Sequence, residues 1–173
     1  MHLANKLSKP HVRYHNQKIK VKYAVQVLSK SVATAIDYCR DVLKLKQFSD
    51  SECTTEFLRK MDTIFNVMNS SCGPNARDSK APLSADNKES WLKGFDETEM
   101  YIYELSDATG KAILDGRRKT GFLGVLSNIQ ALKQLYLNLV DSEKMRCIPT
   151  RKLSQDHLGI VIKQNYYIFC VKN

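Results

Sequence analysis

Four stretches of this chain place an apolar residue at every third or fourth position, a period that commits most of the polypeptide to amphipathic α-helix. In the first, Val21, Val25, Leu28, Val32, Ala35, Ile36, Cys39, Val42 and Leu43 fall on one stripe, which predicts a single long helix from Val21 to Leu43. The second follows the capping candidates Ser49, Asp50 and Ser51 and turns Phe57, Leu58, Met61, Ile64, Phe65 and Met68 inward. It ends at Asn69-Ser70-Ser71-Cys72-Gly73-Pro74, a cluster of helix breakers, and residues 70–83 read as an exposed loop. Ser84 or Asp86 caps a third helix, with Trp91, Phe95, Ile102 and Leu105 at helical spacing, which stops before the break at Gly110 to Gly116. Gly121 opens the fourth and most apolar helix, carrying Phe122, Val125, Leu126, Ile129, Leu132, Tyr136, Leu139 and Val140 on one broad face.

The ends differ from this body. Residues 1–20 are polar, basic and aperiodic and contain Pro10, so they read as a loop. Ser154 is placed to cap one more helix near Lys152–Leu158, and Gly159–Asn173 turns β-branched and aromatic with no partner strand elsewhere. The expected fold class is mainly α, a single-domain bundle of about four long helices. Its expected boundaries are a basic N-terminal segment over 1–20, a helical body over 21–158 and an irregular tail over 159–173.

Charge narrows the partners. Lys and Arg number 27 against 18 Asp and Glu, a net +9, and the excess is uneven. Residues 1–22 hold Lys6, Lys9, Arg13, Lys18, Lys20 and Lys22 with no acid, residues 49–110 hold twelve acids and six bases, and a second basic knot follows at Lys111 and Arg117-Arg118-Lys119. Two basic foci flanking an acidic middle point to a polyanion, either nucleic acid or a nucleotide phosphate, or else to a solvated basic surface. The 173 residues contain no apolar run near the ~20 that a membrane helix needs, which argues against a membrane protein. The five scattered cysteines, Cys39, Cys53, Cys72, Cys147 and Cys170, form no Cys-x-x-Cys pair and read as reduced intracellular thiols.

No P-loop, Gly-x-Gly-x-x-Gly, His-Glu-x-x-His or Gly-x-Ser-x-Gly motif occurs, so the residues themselves make no case for a catalytic centre. His2, His11 and His15 lack ligand spacing and read as surface residues. Two local features stand out. Arg117-Arg118-Lys119 directly precedes a helix, where free amides and the helix dipole favour an anion; the other reading is a basic surface turn. Phe65-Asn66 and Asn69 sit at a helix end, where an aromatic face and two amides suit a planar base; the other reading puts Phe65 in the core and makes Asn69 a C-cap.

Four segments, taken in order and spacing, resemble a known family. They are Leu28-Ser29-Lys30-Ser31-Val32-Ala33-Thr34-Ala35-Ile36-Asp37-Tyr38, Lys80-Ala81-Pro82-Leu83, Arg118-Lys119-Thr120-Gly121-Phe122-Leu123-Gly124 and Lys152-Leu153-Ser154-Gln155-Asp156-His157-Leu158. Together they resemble P-element-type transposases, including the THAP-domain transposase-like proteins of animals, over about Leu3 to Leu158. The part matched is the mostly helical GTP-binding domain inserted into an RNase H-like catalytic fold. The resemblance implies GTP as a bound cofactor with Mg²⁺, DNA as a partner and a nuclear location. It places Lys6, Lys20 and Val21 at nucleotide contacts, Phe65 at the base-stacking aromatic, Asn66 and Asn69 at base-reading positions, and Asp156 near the phosphates and their magnesium.

Two departures modify what the resemblance implies. The family has an aspartate where this chain has Asn66, and giving up a charge-assisted bidentate interaction with guanine costs about 1.5–3 kcal/mol, about 10- to 100-fold in affinity. The family follows Asp-His-Leu with a metal-binding glutamate, whereas this chain has Asp156-His157-Leu158-Gly159, and glycine has no side chain to ligate a metal. The family's other two catalytic acids precede the inserted domain, and its THAP zinc module needs a Cys/His array; both are expected to be missing from a truncated, stand-alone chain. The expectation is a GTP-binding module without transposase chemistry. The alternatives are a basic module that binds DNA or protein without nucleotide, with Lys6, Lys9, Arg13, Lys18, Arg117, Arg118 and Lys119 as its contacts, and a degenerate reading frame.

Overall fold

Ser29 interrupts the longest apolar stripe. Its backbone is extended, at φ −129° and ψ 149°, and its buried hydroxyl donates to the Gln26 carbonyl at 2.8 Å. A serine that satisfies the preceding turn competes with the helix and becomes the cap of the next one. The helix expected from Val21 to Leu43 is therefore two helices and a turn: α2 (Val21–Val27), α3 (Lys30–Asp37) and a π-turn (Tyr38–Val42) closed by Leu43 N–H on the Tyr38 carbonyl at 3.1 Å. Lys44 then takes a left-handed φ of 50°, which ends the run.

The computed structural model describes residues 7–13, 15, 21–72, 80–107 and 109–153, which fall into two compact units divided between Asn66 and Val67. In the first unit the basic N-terminal stretch, read as a loop, contains the short helix α1 (Lys9–Val12), with Pro10 in its first turn. His11 secures it, its Nδ1 accepting from Ser8 N–H at 2.9 Å. Nε2 therefore carries the proton and donates to Gln26 Oε1 at 3.0 Å, while the ring packs edge-on against Tyr23. His11 thus has a structural role rather than that of a surface residue. Val32, Ala33 and Leu58 form a buried cluster with Leu28 and Ile36. The helix α4 (Glu52–Met68) buries Thr55, Leu58, Met61 and Ile64 at intervals of three, and Phe57, Phe65 and Met68 stay half-buried.

Ions bind α3 and its π-turn to the start of α4. Arg40 reaches Asp37 at 3.0 Å, Asp41 at 2.8 Å and Glu52 at 3.3 Å, and Arg59 pairs with Asp37. The Arg59 guanidinium holds the Asp37 carboxyl below the usual range, against the opposing effect of burial and with help from Arg40.

The second unit is built on α5 (Lys88–Glu104) and α6 (Lys119–Leu139). Their cross-contacts run in opposite chain directions: Lys88 Nζ lies 2.7 Å from Asp141, the Trp91 ring packs tilted against Tyr136 with centroids 4.8 Å apart, and Lys133 Nζ lies 2.7 Å from both Asp96 and Glu99. The pair is therefore antiparallel. Trp91, Phe95, Thr98 and Ile102 of α5 and Leu126, Ile129, Leu132 and Tyr136 of α6 are buried, as the period of each helix predicts. The helix α6 begins at Lys119, two residues earlier than expected, and a 3₁₀ turn (Ala85–Asn87) capped at Ser84 leads into α5. Between the helices, Gly110 takes a φ of 81°, and Asp107 accepts from Thr109, whose hydroxyl holds that carboxyl below its usual range.

Residues read as an exposed loop prove partly structural. Leu83 is 1% exposed, and β1 (Leu83–Ser84) pairs antiparallel with β2 (Cys147–Ile148), Leu83 opposite Ile148 and Ser84 opposite Cys147. Ser70 is fully buried and exchanges hydrogen bonds with Thr150: Ser70 N–H donates to Thr150 Oγ1 at 3.0 Å, and Thr150 N–H donates to Ser70 Oγ at 3.1 Å. The helix expected from Ser154 and the tail over 159–173 lie outside the described residues.

Candidate functional site

The last turns of α4 carry the aromatic–amide pattern. Ile64 is 2% exposed, and one residue of helical rotation, about 100°, moves Phe65 off that buried stripe to a half-buried position. Stacking on a planar base requires an accessible aromatic face, and the half-buried Phe65 keeps part of its surface accessible. Asn66, also half-buried, has its amide oriented: Nδ2 donates to Asp62 Oδ2 at 2.9 Å. That bond engages a donor and leaves Oδ1 as an acceptor, with the half-buried carboxylate of Asp62 one turn earlier on the same helix. Asp62 is absent from the residues expected on sequence, although its four-residue spacing from Asn66 is a visible signal.

Asn69 stands in the exposed turn that ends α4, and Val21 is the first residue of α2. Lys6, Lys20 and Asp156 lie outside the described residues, as does Lys18. Of these residues, Asn66 is bonded to Asp62, and Phe65 lies on the same last turns of α4.

A second feature is electrostatic. Arg117, Arg118 and Lys119 are all exposed where α6 begins, Arg118 as the N-cap residue and Lys119 as the first helical one, with no acid in the first turn. The free amides of a helix start, the positive end of the helix dipole and three cations coincide there. Lys9 and Arg13 are exposed at α1. Among the described residues no group of three or more His, Cys, Asp and Glu side chains is placed to hold a metal, and no helix is long and apolar enough to cross a membrane.

Residues 1–82 match the family described as TNP-like, GTP-binding insertion domain. The human DNA transposase THAP9 is 34% identical over 151 residues, which are 86% of this chain and 16% of that protein. The solved Drosophila P element transposase strand transfer complex superimposes with a TM-score of 0.73 over 94% of this chain and 35% of that one, at 23% identity. The chain belongs to the GTP-binding insertion domains of P-element-type transposases. The family match takes in α1 to α4, so Phe65, Asn66 and Asn69 all lie inside it, whereas α5 and α6 of this insertion domain lie beyond it. The chain spans about a sixth of the length of the human transposase.

Proposed function

We propose that this insertion domain binds a guanine nucleotide at the C-terminal end of α4 and acts by binding, without strand-transfer chemistry of its own. The observation that carries this reading is the oriented pair Asn66–Asp62, with the half-buried Phe65 next to Asn66 in the chain. Guanine offers two neighbouring donors, N1–H and the exocyclic amine. Asn66 Oδ1 and the Asp62 carboxylate supply two acceptors one helical turn apart, so the charge missing where the family has aspartate is partly restored from Asp62. Adenine presents an acceptor at N1 and is disfavoured by the same pair.

Family resemblance assigns the remaining contacts: Lys6 and Lys20 to the phosphates, Val21 to the nucleotide from the start of α2, Asn69 to the base, and Asp156 to Mg²⁺, for which a hard oxygen ligand is suited. Gly159, where the family carries a metal-binding glutamate, supports a binding role over a catalytic one. A nuclear location follows from the same resemblance.

Calorimetric titration of GTP with Mg²⁺, beside ATP and XTP, tests the reading. Phe65→Ala weakens GTP by roughly 5- to 150-fold, the range for one base–aromatic stack, with the helical circular dichroism intact. Asn66→Asp strengthens GTP relative to ATP. No heat with any nucleotide from a folded chain sinks the proposal, and a large loss of Tm for Phe65→Ala at unchanged affinity returns that ring to the core.

The second reading, a basic module for DNA, is favoured by the exposed Arg117-Arg118-Lys119 cluster at the start of α6. It is compatible with the first, because the two features occupy different helices.

A further inference from the structure

Within the second unit, the segment Ser70–Cys72 runs beside Cys147–Arg151. The buried exchange of bonds between Ser70 and Thr150 holds one end, and Arg151 N–H donates to the Ser70 carbonyl at 3.0 Å. Ser71 N–H donates to the Lys80 carbonyl at 3.1 Å, and Cys147 is paired with Ser84 across the small sheet. Backbone bonds therefore hold the chain just before Cys72, at Ser70 and Ser71, and at and beyond Cys147. Cys72 and Cys147, both free thiols, face each other with their sulfurs 3.6 Å apart.

We propose that Cys72 and Cys147 form a dithiol site, which a peroxide converts to an intramolecular disulfide and a thiol reductant restores. The exposure of the two residues sets the order of events. Cys72 is exposed and meets the oxidant first, whereas Cys147 is half-buried, and burial together with the neighbouring Cys72 pushes its thiol up and keeps it protonated.

The Cys72 thiolate attacks one peroxide oxygen. An S–O bond forms, the O–O bond breaks, and the departing hydroxide takes a proton to become water, leaving a sulfenic acid on Cys72. Cys147 then gives its proton to solvent as its sulfur attacks Cys72 Sγ. The S–S bond forms, the S–O bond breaks, and a second water leaves. Two thiols and one peroxide become one disulfide and two waters. The sulfurs must close from 3.6 Å to about 2.05 Å, a movement shared between the two side chains. The bridge joins residues 75 apart in sequence, so it also restricts the unfolded chain.

The test treats the full chain with an equivalent of hydrogen peroxide, caps remaining thiols by alkylation, and reads intact mass and a peptide map. The expected result is a monomer that has lost two hydrogens, a single linked peptide joining Cys72 to Cys147, a Tm raised by several degrees, and full reversal by dithiothreitol. Cys72→Ser and Cys147→Ser each abolish the link, and Cys53→Ser leaves it. Recovery of Cys72 as an alkylated thiol or a sulfinic acid without the linked peptide overturns the proposal. So does a link to a second chain, or a mass loss that persists in both single variants.

Discussion

Ser70 and Thr150 satisfy each other's polar groups in a place where water does not reach, with exposures of 0% and 3%. Each donates a backbone N–H to the other's hydroxyl, and the hydroxyls lie 2.9 Å apart. Without the Ser70 hydroxyl, Thr150 Oγ1 keeps the Ser70 N–H and the Val67 carbonyl as partners, but Thr150 N–H loses its acceptor in a buried place. Ser70→Ala is expected to destabilise the chain by about 1–3 kcal/mol, the cost of an unsatisfied buried group, measured by urea unfolding; Ser70→Ala unfolding at the wild-type midpoint would show that the pair is dispensable. Asn66 is coupled in a different way. Asn66→Asp places a second carboxylate four residues from Asp62 and replaces a hydrogen bond by like-charge repulsion, costing about 0.2–0.5 kcal/mol of helix stability. Its nucleotide affinity and its melting temperature are thus expected to move in opposite directions, which separates recognition from folding.

At the scale of elements, the ion cluster on α3, the π-turn and α4 makes the first unit sensitive to acid. Asp37 carries a carboxyl held below its ordinary value by Arg59 and Arg40, so its stabilisation is complete above the unfolded-state pKa and is lost as pH falls through the lower folded-state value. Wild type is expected to exceed Asp37→Asn in Tm at neutral pH, with the gap closing as pH falls below the ordinary carboxylate value of 3.8; a gap independent of pH would assign Asp37 a packing role instead. The periodic helices are legible in the sequence because α4, α5 and α6 bury residues at three- or four-residue spacing, as in Trp91, Phe95, Thr98 and Ile102. The break at Ser29 is hidden by apolar residues that continue the stripe on both sides of it. The strands are invisible because each has two residues, Leu83–Ser84 and Cys147–Ile148, too few for any alternation to show. Phe65 and Asn66 are legible as an aromatic beside an amide, whereas Asp62 is signalled only by its four-residue spacing from Asn66, because the bond itself is a matter of rotamer rather than composition.

For the whole molecule, a net charge of +9 sets how it meets polyanions. If DNA is bound, affinity is expected to fall steeply between 50 and 200 mM salt, and changing Arg117, Arg118 and Lys119 together to alanine should flatten the log–log slope by roughly one unit for each phosphate no longer neutralised. Fluorescence anisotropy on duplex DNA over that salt range decides it, and a slope unaltered by the triple change would place the DNA-binding surface elsewhere. Order of synthesis bears on the molecule as well. Ser70 leaves the ribosome eighty residues before Thr150, its hydrogen-bonding partner. At roughly 5–20 residues per second, the end of α4 waits about 4–16 s for those bonds. During that interval β1 also lacks β2, so the nascent chain exposes an unpaired strand edge until Cys147 and Ile148 emerge.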